Sequence, residues 1–373
     1  MVKIDRIELH YFELSLVHPF RTSFGMRTER PCILVSVYAD GLTGWGECPA
    51  HEKPDYNDET TVTAWHVLED FLAPPMIGCQ VSQVSDIFDT AGYKMVRGNN
   101  MARAALENAI WDLLARAQNI PLQQMLGGAK DRVEVGVSIG IQPTLDGLLK
   151  RVDSFVEAGY GRIKMKIEPG WEMEPLRAVR ERHPHIKLMA DANSAFRIAD
   201  AGLFNQMEDL NLLMIEQPLA HDDIIDHAEL QARVTTPICL DESIHSVHDT
   251  RVAIALNACR IINIKVARVG GLTNALTIHN LCAEAGLPVW CGGMLETGVG
   301  RAVNLHLASL PNFTLPSDLS ASDRYYHQDI AEPTFSLNTE DSTISLPQGY
   351  GHGVEVQPDR LAKVRQKHAV IRA

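Results

Sequence analysis

Apolar and polar residues alternate with period two over residues 3–15 and again over 31–38, and Asp40-Gly41 with Gly44 supplies turn chemistry before Trp45-Gly46-Glu47-Cys48. This pattern predicts an antiparallel start to the chain. The stretch between the first two strands, Pro19-Phe20-Arg21-Thr22-Ser23-Phe24-Gly25, mixes aromatic, basic and hydroxyl side chains and reads either as a plain strand connection or as a lid that contacts substrate. Residues 49–60, with His51, Asp55 and Tyr56, form a second loop of the same character. The period then changes. Ala102, Ala105, Leu106, Ala109, Ile110, Leu113, Leu114 and Ala117 recur at alternating steps of three and one, which predicts a helix over 102–117 that serves packing. Pro121 and Gly127-Gly128 close that region.

From residue 133 the chain is a succession of short apolar runs separated by helical patterns. Strands are expected over 133–140, 162–166, 186–190, 213–215, 237–240, 260–264, 287–291 and 312–315, and helices over 144–158, 172–183, 199–209, 222–232, 247–257 and 273–285. Five consecutive runs end in a charged residue: Lys166, Asp191, Glu216, Asp241 and Lys265. Their steps are 25 (166 to 191), 25 (191 to 216), 25 (216 to 241) and 24 (241 to 265), the length of a strand, a helix and two short loops. Runs this apolar need both faces covered, so the strands are parallel with right-handed helical crossovers. If they close into a barrel, all five charged side chains meet at its C-terminal mouth, where barrel active sites lie.

The fold class expected is therefore α/β: a (β/α) TIM-type barrel over 131–323, preceded by an α+β capping domain over 1–130. The strand-and-turn tail, 324–373, is expected to return to that cap. The chain's 373 residues leave room for a barrel of roughly 250 residues and one smaller domain. A formal net charge of -13 argues against nucleic acid or an anionic membrane as partner. No apolar run approaches the about 18 residues of a membrane span, and residues 1–11, with Lys3, Asp5, Arg6 and Glu8, do not resemble a signal peptide. The seven cysteines are odd in number and lack CxxC spacing, as reduced cysteines of a cytoplasmic protein would be. The 15 histidines show no ligand spacing.

Asp191, Glu216 and Asp241 on neighbouring strand ends would repel without a counter-ion, and three oxygen donors without His or Cys favour Mg2+, with Mn2+ as a substitute. Lys164 and Lys166 are two apart on one strand and point to the same face, where two ammonium groups lower each other's pKa towards that of a usable base. Lys265 would face Lys166 across the mouth. Two opposed amines beside a Lewis acid suit removal of a proton from carbon next to a carboxylate through an enediolate. Return of the proton to the opposite face gives racemisation; departure of a leaving group gives dehydration.

The order KxK, Asp, Glu, Asp, Lys with this spacing resembles the enolase superfamily, muconate-lactonising subgroup. Residues 19–25, 163–170, Asp191-Ala192-Asn193, 290–302 and 313–325 are similar to the N-succinylamino acid racemase and o-succinylbenzoate synthase family. The resemblance implies Asp191, Glu216 and Asp241 as Mg2+ ligands, Lys166 and Lys265 as acid/base residues, and Lys164 as electrostatic partner of Lys166. It implies further that Ser138, Asn193 and the backbone around Gly293 and Met294 line the pocket, that Phe20 to Phe24 cap it and sense the substrate's acyl end, and that the enzyme is a homo-oligomer. A small carboxylate is the substrate class, either an N-acylamino acid for racemisation or a cyclohexadiene precursor for dehydration to o-succinylbenzoate. Dipeptide epimerisation and muconate cycloisomerisation are alternatives within the superfamily. A Schiff base on Lys265, and a barrel kept only as a binding module, are alternatives outside it.

Overall fold

The structure is a computed structural model that describes residues 1–22 and 25–373. Strands β1 (Val2–Thr22), β2 (Gly25–Ala39) and β3 (Leu42–Cys48) form an antiparallel sheet, with Leu9 opposite Val35 and Ile7 opposite Val37. The C-terminal strand Arg365–Arg372 adds to the free edge of β1, with His368 opposite His10. Helix α1 (Asn100–Ala117) lies on this sheet. Its alanines let it approach closely. Any side chain at Gly44 or Gly46 of β3 would strike the α1 backbone at Ala105 and Ala109.

The helix is buried well beyond its apolar stripe, and its polar residues explain why. Glu107 accepts hydrogen bonds from the Thr273 amide (2.8 Å) and Trp111 (3.1 Å), and Asp112 from the amides of Trp45 (2.9 Å) and His352 (2.8 Å). Each buried carboxylate is thus satisfied by a different part of the chain. The sheet divides its apolar residues between two cores: Leu9, Val35 and Val37 pack with α1, whereas Phe12, Leu14 and Leu34 belong to the core of the barrel below. That division seats the cap on the barrel.

The barrel sheet contains β4 (Val137–Ile139), β5 (Arg162–Lys166), β6 (Lys187–Asp191), β7 (Ile215–Glu216), β8 (Ile238–Leu240), β9 (Ile261–Ile264) and β10 (Val289–Cys291), all parallel and paired in sequence order. Helices α2 (Leu145–Glu157), α3 (Met173–Arg182), α4 (Ala201–Gln206), α5 (Ile225–Arg233), α6 (Val247–Leu256), α7 (Leu272–Glu284) and α8 (Gly298–Ala308) follow these strands.

Three sequence expectations differ from what is observed. Residues 19–22 continue β1 instead of forming a loop, after a register irregularity between Ser15 and Phe20. Pro19, which has no N–H for the ladder, falls in that irregularity. The barrel begins at β4, because Arg132–Glu134 pairs antiparallel with Thr343–Ser345 of the tail instead. The eighth strand expected at 312–315 is reduced to bridges, Phe313 with Val289 and Ser317 with Val135. Pro311 and Pro316 interrupt its amides, so closure rests on single bonds such as Asp318 N–H to Cys291 O (2.8 Å) and Gly136 N–H to Ser317 O (2.9 Å).

Candidate active site

In β5 alternate residues face opposite ways, so Ile163 and Met165 enter the apolar core while Lys164 and Lys166 share the barrel interior. Parallel registers align the strand ends: Lys166 lies opposite Asp191, and Asp191 opposite Glu216. The backbone turns sharply just beyond them. Asn193 and Ser194 after β6, and Gln217 after Glu216, adopt left-handed φ of 42°, 64° and 38°. Such conformations are costly for residues with a Cβ and here are held by tertiary bonds. Gln217 illustrates this. Its side-chain oxygen accepts from the amides of Asp241 (2.9 Å) and Ser243 (3.2 Å), fixing the next strand end.

The charged groups converge without solvent. Asp191, Glu216 and Asp241 are fully buried, and Lys164, Lys166 and Lys265 are 3%, 8% and 7% exposed. Lys166 donates to Asp191 Oδ2 (2.6 Å) and Asn193 Oδ1 (2.6 Å). Lys164 lies 3.0–3.1 Å from Asp191, Glu216 and Asp318. Lys265 donates to Asp241 Oδ2 (2.7 Å) and the Tyr56 hydroxyl (3.1 Å). Arg268 also donates to Asp241, and its other nitrogens hold Asn263 O (2.6 Å) and Ile244 O (2.7 Å).

These contacts set the protonation states. Burial alone would lower Lys164, but Asp318, Glu216 and Asp191 outweigh it and raise its pKa. Burial would likewise lower Lys265, which Tyr56, Glu242 and Glu216 instead raise. Lys265 still pulls Lys164 down, but three carboxylates within reach outweigh it. Burial would raise Asp191, yet Lys166 and Lys164 hold it below the usual carboxylate range. Glu216 goes up, through burial and then the charge of Asp191.

The donor types suit a hard divalent cation: the three buried carboxylates offer only oxygen, Glu216 is pushed up by burial and the charge of Asp191, and buried Glu242 Oε2 and Asn263 Oδ1 have no hydrogen-bond partner. Asp241, however, gives one oxygen to Lys265 and the other to Arg268. Among the described residues only the group Glu8, His10 and His368, on the cap sheet, brings three such donor atoms within 4.8 Å of one another. Its two imidazoles are stacked 13° from parallel, with centroids 4.8 Å apart. Lone pairs in two parallel ring planes do not meet at one ion, so this group reads as hydrogen bonding across strands.

The sequence-selected residues surround one space. A cavity of about 60 Å³ is lined by Phe20, Ser138, Lys164, Lys166, Lys265 and Gly293 among others. An adjoining one of about 80 Å³ shares Phe20, Lys166, Lys265 and Gly293 and adds Asn193 and Met294. The Ser138 hydroxyl is buried without a partner. Phe24 lies outside the described residues. Sequence reasoning did not select Arg268, Asp318, Gln217 or Glu242, and named Tyr56 only within the loop over 49–60. The three-residue step from Lys265 to Arg268 and the adjacency of Asp241 and Glu242 carry a signal only once the strand ends are known.

Residues 6–127 match the family described as Mandelate racemase / muconate lactonizing enzyme, N-terminal domain, and residues 147–360 match Enolase C-terminal domain-like. The chain belongs to the mandelate racemase / muconate lactonizing enzyme family. An o-succinylbenzoate synthase from Geobacillus kaustophilus is 48% identical over 366 residues, 98% of this chain and 96% of the relative. An N-succinylamino acid racemase from Thermus thermophilus is 45% identical, covering 95% of each. The crystal structure of an enolase superfamily member from Listeria innocua superposes with a TM-score of 0.95 at 39% identity, over 100% of this chain and 99% of the other. A barrel with an antiparallel cap is the fold of this enzyme family, and the chain is one of its enzymes. No helix of the described residues is long and apolar enough to cross a membrane.

Proposed function

We propose that this family member removes the proton α to the carboxylate of a small substrate, racemising N-succinylamino acids and dehydrating a cyclohexadiene precursor to o-succinylbenzoate. The observation that carries the reading is that Lys166 and Lys265 line the same small cavity, backed by three buried carboxylates on successive strand ends. The two activities borne by relatives at 48% and 45% identity support it equally for both reactions.

In this reading Asp191, Glu216 and Asp241 would hold Mg2+, which Mn2+ can replace; the ion supplies Lewis-acid stabilisation of charge developing on the substrate carboxylate. Lys166 accepts the α-proton on one face. Lys265 donates a proton to the opposite face in racemisation, and as an ammonium ion it offsets the negative charge of the substrate enediolate while water departs in dehydration. Lys164, bridged by Asp318, Glu216 and Asp191, stays protonated and keeps positive charge beside Lys166. Asn193 accepts from Lys166 and so fixes its amine. Ser138, Gly293, Met294, Phe20 and Phe24 shape the pocket. The same reading assigns the cap to 1–130 and 324–373 and the barrel to 131–323, and places a homo-oligomer in the cytoplasm.

Proton NMR of the protein with Mg2+ and N-succinyl-phenylalanine in deuterated water tests it. The α-proton exchanges with loss of optical purity, and excess EDTA abolishes both. Exchange that persists in EDTA, or none at high enzyme concentration while the dehydration also fails, overturns the reading.

A further inference from the structure

A cavity far larger than those at the lysines lies elsewhere in the described residues. A cleft of about 740 Å³ opens where α2, the segment 321–339 and β1 meet. The cap strand forms one wall, through Val17 N–H to Tyr325 O (2.9 Å) and the bridge of Leu16 with Tyr326. On its floor lies buried Phe155, with the Arg151 guanidinium 4.7 Å and the Arg324 guanidinium 5.5 Å from the ring centroid. His18 and His327 stand at the same cleft.

These positive groups are not neutralised by one another's neighbours. After burial, the strongest influence on Arg151 is the charge of Arg324, and the charges on His18 that follow burial are Arg151, Arg324 and His327. Arg324 spends one nitrogen on Ser138 O (3.1 Å), and its Nε is buried without a partner. Three carboxylates also line the cleft. Asp329 accepts from the Gly298 amide (2.9 and 3.0 Å) and Glu332 is paired with Arg360 (2.7 Å), which leaves Asp323, exposed. In a chain of net charge -13, two half-buried arginines converging on one ring without a carboxylate partner mark a place built for a negative ligand.

We propose that this cleft binds a small polyanion, a phosphate or a polycarboxylate, clamped by Arg151 and Arg324 over Phe155. The guanidinium forks match either oxyanion bidentately, and the volume falls in the usual range for small-molecule sites, about 300–1,000 Å³. Anion binding here does not rest on the reaction proposed above, although the two sites meet at Arg324. Arg324 also lines the catalytic cavity, so Arg151 is the residue to change.

Isothermal titration calorimetry of the full chain with inorganic phosphate, and separately with propane-1,2,3-tricarboxylate, distinguishes the two sources. One of them binds saturably, more weakly at higher salt, and about tenfold or more weakly in Arg151→Gln, as expected for loss of one charge-assisted contact. Arg151→Lys, which keeps the charge, recovers part of the affinity and controls for misfolding. Saturable binding equal in wild type and Arg151→Gln places the anion at the catalytic lysines and overturns the proposal. So does absence of saturable binding of either anion. A change of oligomeric mass in Arg151→Glu, without anion binding by the wild type, assigns the cleft to a second copy of the chain and overturns it as well.

Discussion

Asp241 is held by two cations of different kinds, Lys265 on one oxygen and Arg268 on the other, and the difference matters for chemistry. A guanidinium does not deprotonate, whereas an ammonium can exchange its proton with substrate. Lys265 is therefore the cation beside Asp241 that can exchange a proton, and Lys166 lines the same cavity. The proposed roles of the two lysines as bases on opposite faces predict a stereochemical split. In Lys265→Ala, α-proton exchange from the enantiomer whose proton faces Lys166 continues, while exchange from its mirror image and net racemisation fall by about 10²–10⁴-fold; NMR of each enantiomer in deuterated water reads this directly. Equal loss for both enantiomers would remove Lys265 from the role of second base. The lysines and carboxylates were legible in the sequence because strand ends recur at a fixed period and the register brings them together. Tyr56 was legible only as part of a loop, not as a partner of Lys265, and Asp318 was not legible, since it arrives from a segment whose pairing is irregular.

Among the elements, the hairpin of β1 and β2 and the loop over 49–60 decide access. The two small catalytic cavities, about 60 and 80 Å³, are well below the size of a ligand pocket, so substrate entry requires the cap segments over them to move. Arg27 of β2 ties these segments together. It reaches both oxygens of Asp55 at 2.6 Å and His51 Nδ1 at 2.7 Å, and Tyr56 of the same loop stands over Lys265. Removing this half-buried clamp in Arg27→Ala frees the loop by about 1 kcal/mol, roughly fivefold in its opening equilibrium. Hydrogen exchange at the amides of 51–58 accelerates accordingly, with the amides of α1 unchanged. Acceleration spread evenly over the cap would show a general loss of stability instead. Helix positions were legible because each carries its own periodicity. The continuation of β1 through residue 22 was not, because Pro19 and the mixed polar sequence imitate a loop, and only pairing with β2 keeps the strand extended.

At the scale of the whole molecule the cap is completed by the far end of the chain, and His10 sits in that seam. It lies on β1, hydrogen-bonded to Ser36 of β2 (3.3 Å) and stacked on His368 of the C-terminal strand. Burial, followed by the charge of His368, lowers its pKa from 6.5 to about 4, against the opposing pull of Glu8 and with a further lowering by Arg365. In the unfolded chain the imidazole binds a proton below about 6.5. Between pH 6.5 and 4 the unfolded state thus holds more protons than the folded one, and stability declines as pH falls through that window. Buried Glu47, Glu59 and Glu107, which burial pushes up, act with the opposite sign, since their folded forms take protons more readily than the unfolded chain. The net curve of the wild type mixes these effects, so a difference between two proteins isolates the histidine. His10→Gln keeps a polar partner for Ser36 and cannot charge. Urea unfolding followed at pH 7 and pH 4.5 gives a smaller loss of stability for His10→Gln than for the wild type, by up to about 3 kcal/mol. Identical losses in the two proteins would mean that His10 titrates in the folded protein as it does in the unfolded chain, which overturns the lowered pKa read from its burial.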